Sequence, residues 1–232
     1  MKTFRTNRGP FVERPYFTDE QMESICLDEL SKQELLPKAP GPVRIERFVE
    51  KKFGVTVEAA DLPPGVLGYT SFGPNGVTGV FVSKELEGEQ TKAALRRFRS
   101  TVAHEAGHGL LHAYLFALQT GTPLFGDLSD PNAPKVLCRG EAIEPRKGYD
   151  GAWWEFQANA AMGHLLMPRP LMTQAAVAHL VPVGTLGGLT IPAERIGDAA
   201  RDLAEIFDVN PIVARIRLEA LYAVTNDKQL SL

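Results

Sequence analysis

Residues 101–112 read Thr101-Val102-Ala103-His104-Glu105-Ala106-Gly107-His108-Gly109-Leu110-Leu111-His112. The reading of the whole chain turns on the His104-Glu105-x-x-His108 spacing inside this stretch. On a helix, residues four apart lie one above the other on the same face. His104 and His108 would then offer two imidazole nitrogens to one cation. Glu105 sits about 100° further round at 3.6 residues per turn, which puts its carboxylate beside that cation. Such a set suits a zinc hydrolase. Zinc lowers the pKa of water towards ~7, and Glu105 is placed to take the proton as general base. The flanks agree with a helix. No proline falls between Thr91 and Ala117, and Leu95, Phe98, Val102, Ala106, Leu110 and Ala113 trace an apolar stripe.

A catalytic zinc takes three protein ligands and keeps one position open. Asp127, Asp130, Glu141, Glu144, Asp150, Glu155, His112 and His164 are candidates for the third. Helical context favours Glu155, because a regular helix holds a ligand more rigidly than a loop. Trp153 to Met167 reads as that helix, ended by Pro168 and Pro170. Asn159 lies one turn after Glu155. Its amide oxygen is placed to accept the spare ring N–H of His104 or His108 and so fix a ligand tautomer.

These stretches carry a family resemblance. The segment His104 to His112, then Glu155-Phe156-Gln157-Ala158-Asn159, then Leu165-Leu166-Met167-Pro168, resembles the ImmA/IrrE metallopeptidases. The likeness spans residues 43–222, more weakly outside the quoted segments. It implies a zincin-like core with one Zn²⁺ per chain. By the match, His104, His108 and Glu155 are the zinc ligands and Glu105 is the catalytic glutamate. It also implies cleavage of a helix-turn-helix repressor in a stress or mobile-element response. Two departures stand out. Ala106 replaces the leucine frequent at that position, and the connection over residues 118–152 is long.

Composition sets the broad class. The chain has 232 residues, 44% hydrophobic and 23% charged, which are ordinary globular values. A net charge of -3 does not favour direct DNA binding, which usually brings a basic excess. Two cysteines, Cys26 and Cys138, do not make a disulfide framework. The first residues lack the apolar stretch of a signal peptide, and no run reaches the length of a membrane span. The expected compartment is the cytoplasm, with a protein substrate and no membrane partner.

The expected fold class is α+β, with a small antiparallel sheet beside the motif helix. Residues 1–42 form an extended arm and a helix opened by the capping box Thr18-Asp19-Glu20-Gln21. Residues 43–180 form the core. It starts with a helix from Val43 to Phe53 capped by Gly54. A hairpin of Val66 to Phe72 with Val77 to Val82 turns at Gly73-Pro74-Asn75-Gly76. The second of these strands is expected to be the edge strand beside the site. Residues 118–152 show little periodicity, although Val136-Leu137-Cys138 suggests a short strand. Residues 181–232 are helical and resemble a helix-turn-helix, with Asp208 where the turn often has glycine.

The other candidates are weighed by chemistry. Tyr149, Arg146, Arg139, Tyr69 and His164 are possible donors to a tetrahedral oxyanion. His112 faces either the cleft or a helix neighbour, the latter being commoner for such a histidine. Cys138 fits a small buried thiol better than a zinc ligand. Trp153 and Trp154 fit core packing. An alternative function is a non-catalytic regulator, with a structural zinc and terminal helices that bind DNA or a partner repressor. A third is a zinc hydrolase acting on a non-peptide substrate.

Overall fold

Thr18 opens the first long helix with a reciprocal cap. Its hydroxyl accepts from Gln21 N at 3.2 Å, and Gln21 Oε1 accepts from Thr18 N at 3.0 Å. These two bonds satisfy amide groups that a helix start leaves unpaired. The helix is α1, Asp19–Lys32. The computed structural model describes residues 2–5, 13–118, 135–139, 152–183 and 188–225. A short antiparallel pair, β1 (Lys2–Arg5) and β2 (Glu13–Tyr16), precedes α1, so the expected arm contains a strand pair.

Helix α2 (Ile45–Phe53) buries Ile45, Phe48 and Val49 and ends on Gly54 at φ +72°, the left-handed cap. Three strands follow: β3 (Val57–Ala60), β4 (Val66–Gly73) and β5 (Gly76–Ser83). The β4–β5 hairpin pairs Gly73 with Gly76 around Pro74 and Asn75. After a short helix α3 (Lys84–Gly88), α4 runs from Lys92 to Leu118. Its first turn is capped by Thr91, whose hydroxyl accepts from Ala94 N at 3.2 Å. Strand β6 (Lys135–Arg139) joins the same sheet.

The sheet differs from expectation in two ways. It is four-stranded in the order β3-β5-β4-β6, and it is mixed, because β3 runs parallel to β5. The Val77 to Val82 strand, expected at an edge, is therefore interior. Parallel β3 covers one side of it and β4 the other. On β4, alternate residues face α4. Thr70 reaches Glu105, and a side chain at Gly68 would meet Thr101. Tyr69 faces away and stacks on Phe81 with centroids 4.5 Å apart.

The remaining helices are α5 (Trp153–Leu166), α6 (Arg169–Ala176), α7 (Ile196–Phe207) and α8 (Pro211–Leu221). Between α6 and α7, in the region expected to be helical, lie β7 (Val181–Val183) and β8 (Gly188–Pro192). They form a three-stranded sheet with β9 (Ala223–Thr225). One hydrophobic core joins α1, α2, α4, α5, α6, α7 and α8, through residues such as Leu30, Phe48, Val102, Leu165, Met172, Phe207 and Leu218. The fold is α+β. No described helix is long and apolar enough to cross a membrane.

The turn between α7 and α8 shows why Asp208 takes the place of glycine. Its backbone is left-handed, at φ +52°, and its side chain accepts from Arg96 Nε at 3.1 Å. Arg99 Nε donates to Asp208 O at 3.2 Å. The carboxylate offsets the cost of the left-handed backbone and fixes the turn on α4.

Candidate metal centre

Helix α4 brings His104 and His108 onto one face, and α5 lays Glu155 opposite them. The three ligand atoms lie within 4.8 Å of one another. His104 Nε2 and His108 Nε2 are 3.0 Å apart. Glu155 Oε2 is 3.1 Å from His104 Nε2, and Glu155 Oε1 is 3.7 Å from His108 Nε2. Ligands of a tetrahedral zinc with bonds of ~2.0–2.1 Å stand about 3.3 Å from each other. The three observed separations bracket that edge.

The directions of the ring nitrogens support a cation at this point. His104 Nδ1 lies 3.0 Å from Asn159 Oδ1. An amide oxygen only accepts, so this nitrogen carries the ring proton. The other nitrogen, Nε2, faces the Glu155 carboxylate, a geometry that a bound cation bridges. Both imidazoles are fully buried. Burial holds His108 well below the usual histidine range, and the nearby His104 and His112 push it the same way. A neutral imidazole is the form that binds metal. Glu155 Oε2 is buried with no hydrogen-bond partner among the described residues. The donor set of two imidazoles and one carboxylate fits Zn²⁺.

Glu105 is fully buried on the next position of α4. Its Oε2 accepts from Thr70 Oγ1 at 2.5 Å, and the same hydroxyl lies 3.1 Å from Glu105 O. Its Oε1 has no hydrogen-bond partner among the described residues. Burial pushes the Glu105 carboxyl up to about 8, against the opposing pull of His104 and the Thr70 hydroxyl. A carboxyl with one oxygen anchored by Thr70 and the other unpaired among the described residues is placed to act as a general base. Gly68 makes room for it: a β-carbon there would lie 3.3 Å from Glu105 Oε1 and 2.8 Å from Phe81 O.

The α4–α5 contact sets the distance between the imidazoles and Glu155. Gly107 packs directly against α5. A β-carbon there would come within 3.0 Å of Ala158 O and of Ala161 Cβ. Gly107→Val is expected to push the helices apart, cost about 1–3 kcal/mol as overpacking and weaken zinc binding. Urea unfolding and a zinc titration read the two effects. Unchanged zinc affinity would show that the contact does not set the site.

The structure brings together five of the residues singled out in the sequence: His104, Glu105, His108, Glu155 and Asn159. Other candidates go elsewhere. His112 turns to His108 and Gln157, with both contacts at 3.0 Å. His164 turns to α1, with Nε2 3.1 Å from Asp19 Oδ1 and Nδ1 3.4 Å from Glu23 Oε2. Tyr69 stacks on Phe81. Trp153 is buried beside Phe72 and Leu115, with Trp154 packed against it. Asp127, Asp130, Glu141, Glu144, Asp150, Arg146 and Tyr149 lie outside the described residues. Cys138 and Arg139 are described only as backbone of β6.

Thr70 and Gln157 were not singled out in the sequence. Thr70 carries no local signal, because its partner is 35 residues away on another element. Gln157 falls between Glu155 and Asn159 in a segment read only for those two. A second group, Asp19, Glu23 and His164, also brings three ligand atoms within 4.8 Å of one another. There the Glu23 oxygens already accept from Arg217 Nη2 at 2.6 Å and Arg169 Nε at 3.0 Å. Guanidinium groups already supply the positive charge at this cluster.

The chain matches no protein-family model and no curated protein sequence.

Proposed function

We propose that this chain is a zinc-dependent endopeptidase of the ImmA/IrrE type. The observation that carries the reading is the cage of His104, His108 and Glu155 at tetrahedral spacing, with the buried Glu105 beside it. The quoted motifs support the family assignment, and the packing of α4 on the sheet is compatible with a zincin-like core. When bound, zinc supplies Lewis acidity that polarises a scissile carbonyl and acidifies water. Glu105 takes the proton of the attacking water at Oε1, while Thr70 holds Oε2 still. The same carboxyl then returns the proton to the leaving amine. Asn159 keeps the His104 proton on Nδ1. A protein substrate in the cytoplasm fits this reading, with a helix-turn-helix repressor as the substrate class.

The regulator alternative has less support. Arg217 is buried and ion-paired with Glu23, and Arg215 pairs with Glu219 at 2.9 Å. Arg217 is thereby withheld from DNA phosphates.

The test is incubation with any helix-turn-helix repressor encoded beside this chain, followed by mass spectrometry. Discrete fragments are expected with zinc, none after chelation, and full recovery when zinc is restored. Intact repressors in the presence of the zinc-loaded chain would overturn the substrate class. Failure of a peptide library to yield any cleavage would overturn peptidase activity itself.

A further inference from the structure

We propose that His112 and Gln157 are positioning residues that lock His108 in its metal-binding tautomer. Their relay ends on the amino-terminal strand β2, so docking of that strand is coupled to metal affinity. The proposal rests on the metal-centre reading above and follows from hydrogen-bond directions alone. The Pro15 carbonyl only accepts. Gln157 Nε2 lies 3.0 Å from it, so the amide NH₂ faces β2 and Oε1 faces His112. That oxygen only accepts, so His112 Nε2, 3.0 Å away, donates. His112 Nδ1 lies 3.0 Å from His108 Nδ1, and one of the pair must carry a proton. His108 offers a lone pair at Nε2 only if its own proton sits on Nδ1. His112 Nδ1 then accepts. Every link from Pro15 to His108 has one donor and one acceptor.

The setting makes the direction matter. His108 and His112 are fully buried, Gln157 is 3% exposed, and Pro15 is buried. Trp153 meets the His112 ring edge-on, with centroids 5.5 Å apart. Reversing one link would set two donors or two acceptors face to face away from water. Without Gln157, His112 is free to carry its proton on Nδ1. His108 would then have to accept at Nδ1 and hold its proton on Nε2, where it excludes metal. Coupling between two sites is reciprocal. Zinc should therefore tighten β2, and β2 should tighten zinc.

Three measurements on the full chain test this. In zinc-loaded protein carrying ¹⁵N-histidine, long-range ¹H–¹⁵N correlation spectra should show His112 protonated on Nε2 and His108 on Nδ1. His112 protonated on Nδ1 would overturn the relay. Gln157→Leu should lower zinc affinity about 10–100-fold in competition with a chromophoric chelator. Zinc should also slow hydrogen exchange at residues 14–17 in the wild type, and unchanged exchange there would overturn the coupling to β2. A wild type that binds zinc, with Gln157→Leu binding equally well, overturns this proposal alone. A wild type that binds no zinc overturns the metal-centre reading and this proposal with it.

Discussion

Glu105→Gln should keep one zinc per chain and lower peptide cleavage by about 10²–10⁴-fold, the span that a positioned general base supplies. The substitution preserves shape. A glutamine still accepts from Thr70 through its amide oxygen, at the place where Oε2 now sits 2.5 Å from the hydroxyl. It has no oxygen left with an affinity for the proton of water. The zinc ligands are on other residues, so metal content should not fall. Zinc content by elemental analysis and cleavage rate on one repressor separate the two effects. A variant that cleaves at the wild-type rate would remove Glu105 from the mechanism. A variant that loses zinc would show that Glu105 supports the cage itself.

Glu23→Gln should destabilise the fold by about 3–5 kcal/mol near neutral pH, the usual result of breaking a buried ion pair from one side. Glu23 is 7% exposed on α1. Its carboxylate binds Arg217 Nη2 at 2.6 Å, Arg169 N at 3.0 Å and Arg169 Nε at 3.0 Å. One side chain thereby ties α1 to α6 and α8, with His164 of α5 alongside. The variant leaves Arg217, 4% exposed, without its counter-charge. Burial alone would push the Glu23 carboxyl up. Hydrogen bonds and charge from His164 and Arg217 outweigh it and hold the group well below its ordinary value of 4.5. A carboxyl with a depressed folded-state pKa stabilises above its unfolded value and loses that stabilisation as pH falls towards the folded one. Wild-type stability should therefore decline below about pH 4.5, and Glu23→Gln should decline less steeply. Urea midpoints between neutral and acid pH read both effects. Parallel acid slopes for the two proteins would show that Glu23 is not the responsible group.

Local signals were readable from the chain. The His104 and His108 pair, the Thr18–Gln21 cap and the Gly54 stop all depend on neighbours within one or two turns. Glu155 is favoured by its place on a regular helix, and Asn159 by lying one turn later on the same face. What escaped notice depends on distant partners. The β7–β8–β9 sheet is built from strands of 3, 5 and 3 residues, too short for alternation to show. Its β8–β9 pairing also spans α7 and α8. The interior place of β5 follows from its parallel pairing with β3, which no turn between them announces. Arg217 pairs with Glu23, 194 positions away, a contact no local pattern announces. Gln157 and Thr70 gain meaning only when α5 and β4 meet α4.

The most direct measurement is anomalous diffraction at the zinc absorption edge, from crystals of the chain grown with zinc. One strong peak is expected, within ~2.0–2.2 Å of His104 Nε2, His108 Nε2 and a Glu155 oxygen. A zinc peak at Asp19, Glu23 and His164 instead, or none between α4 and α5, would contradict the metal centre and every functional step built on it.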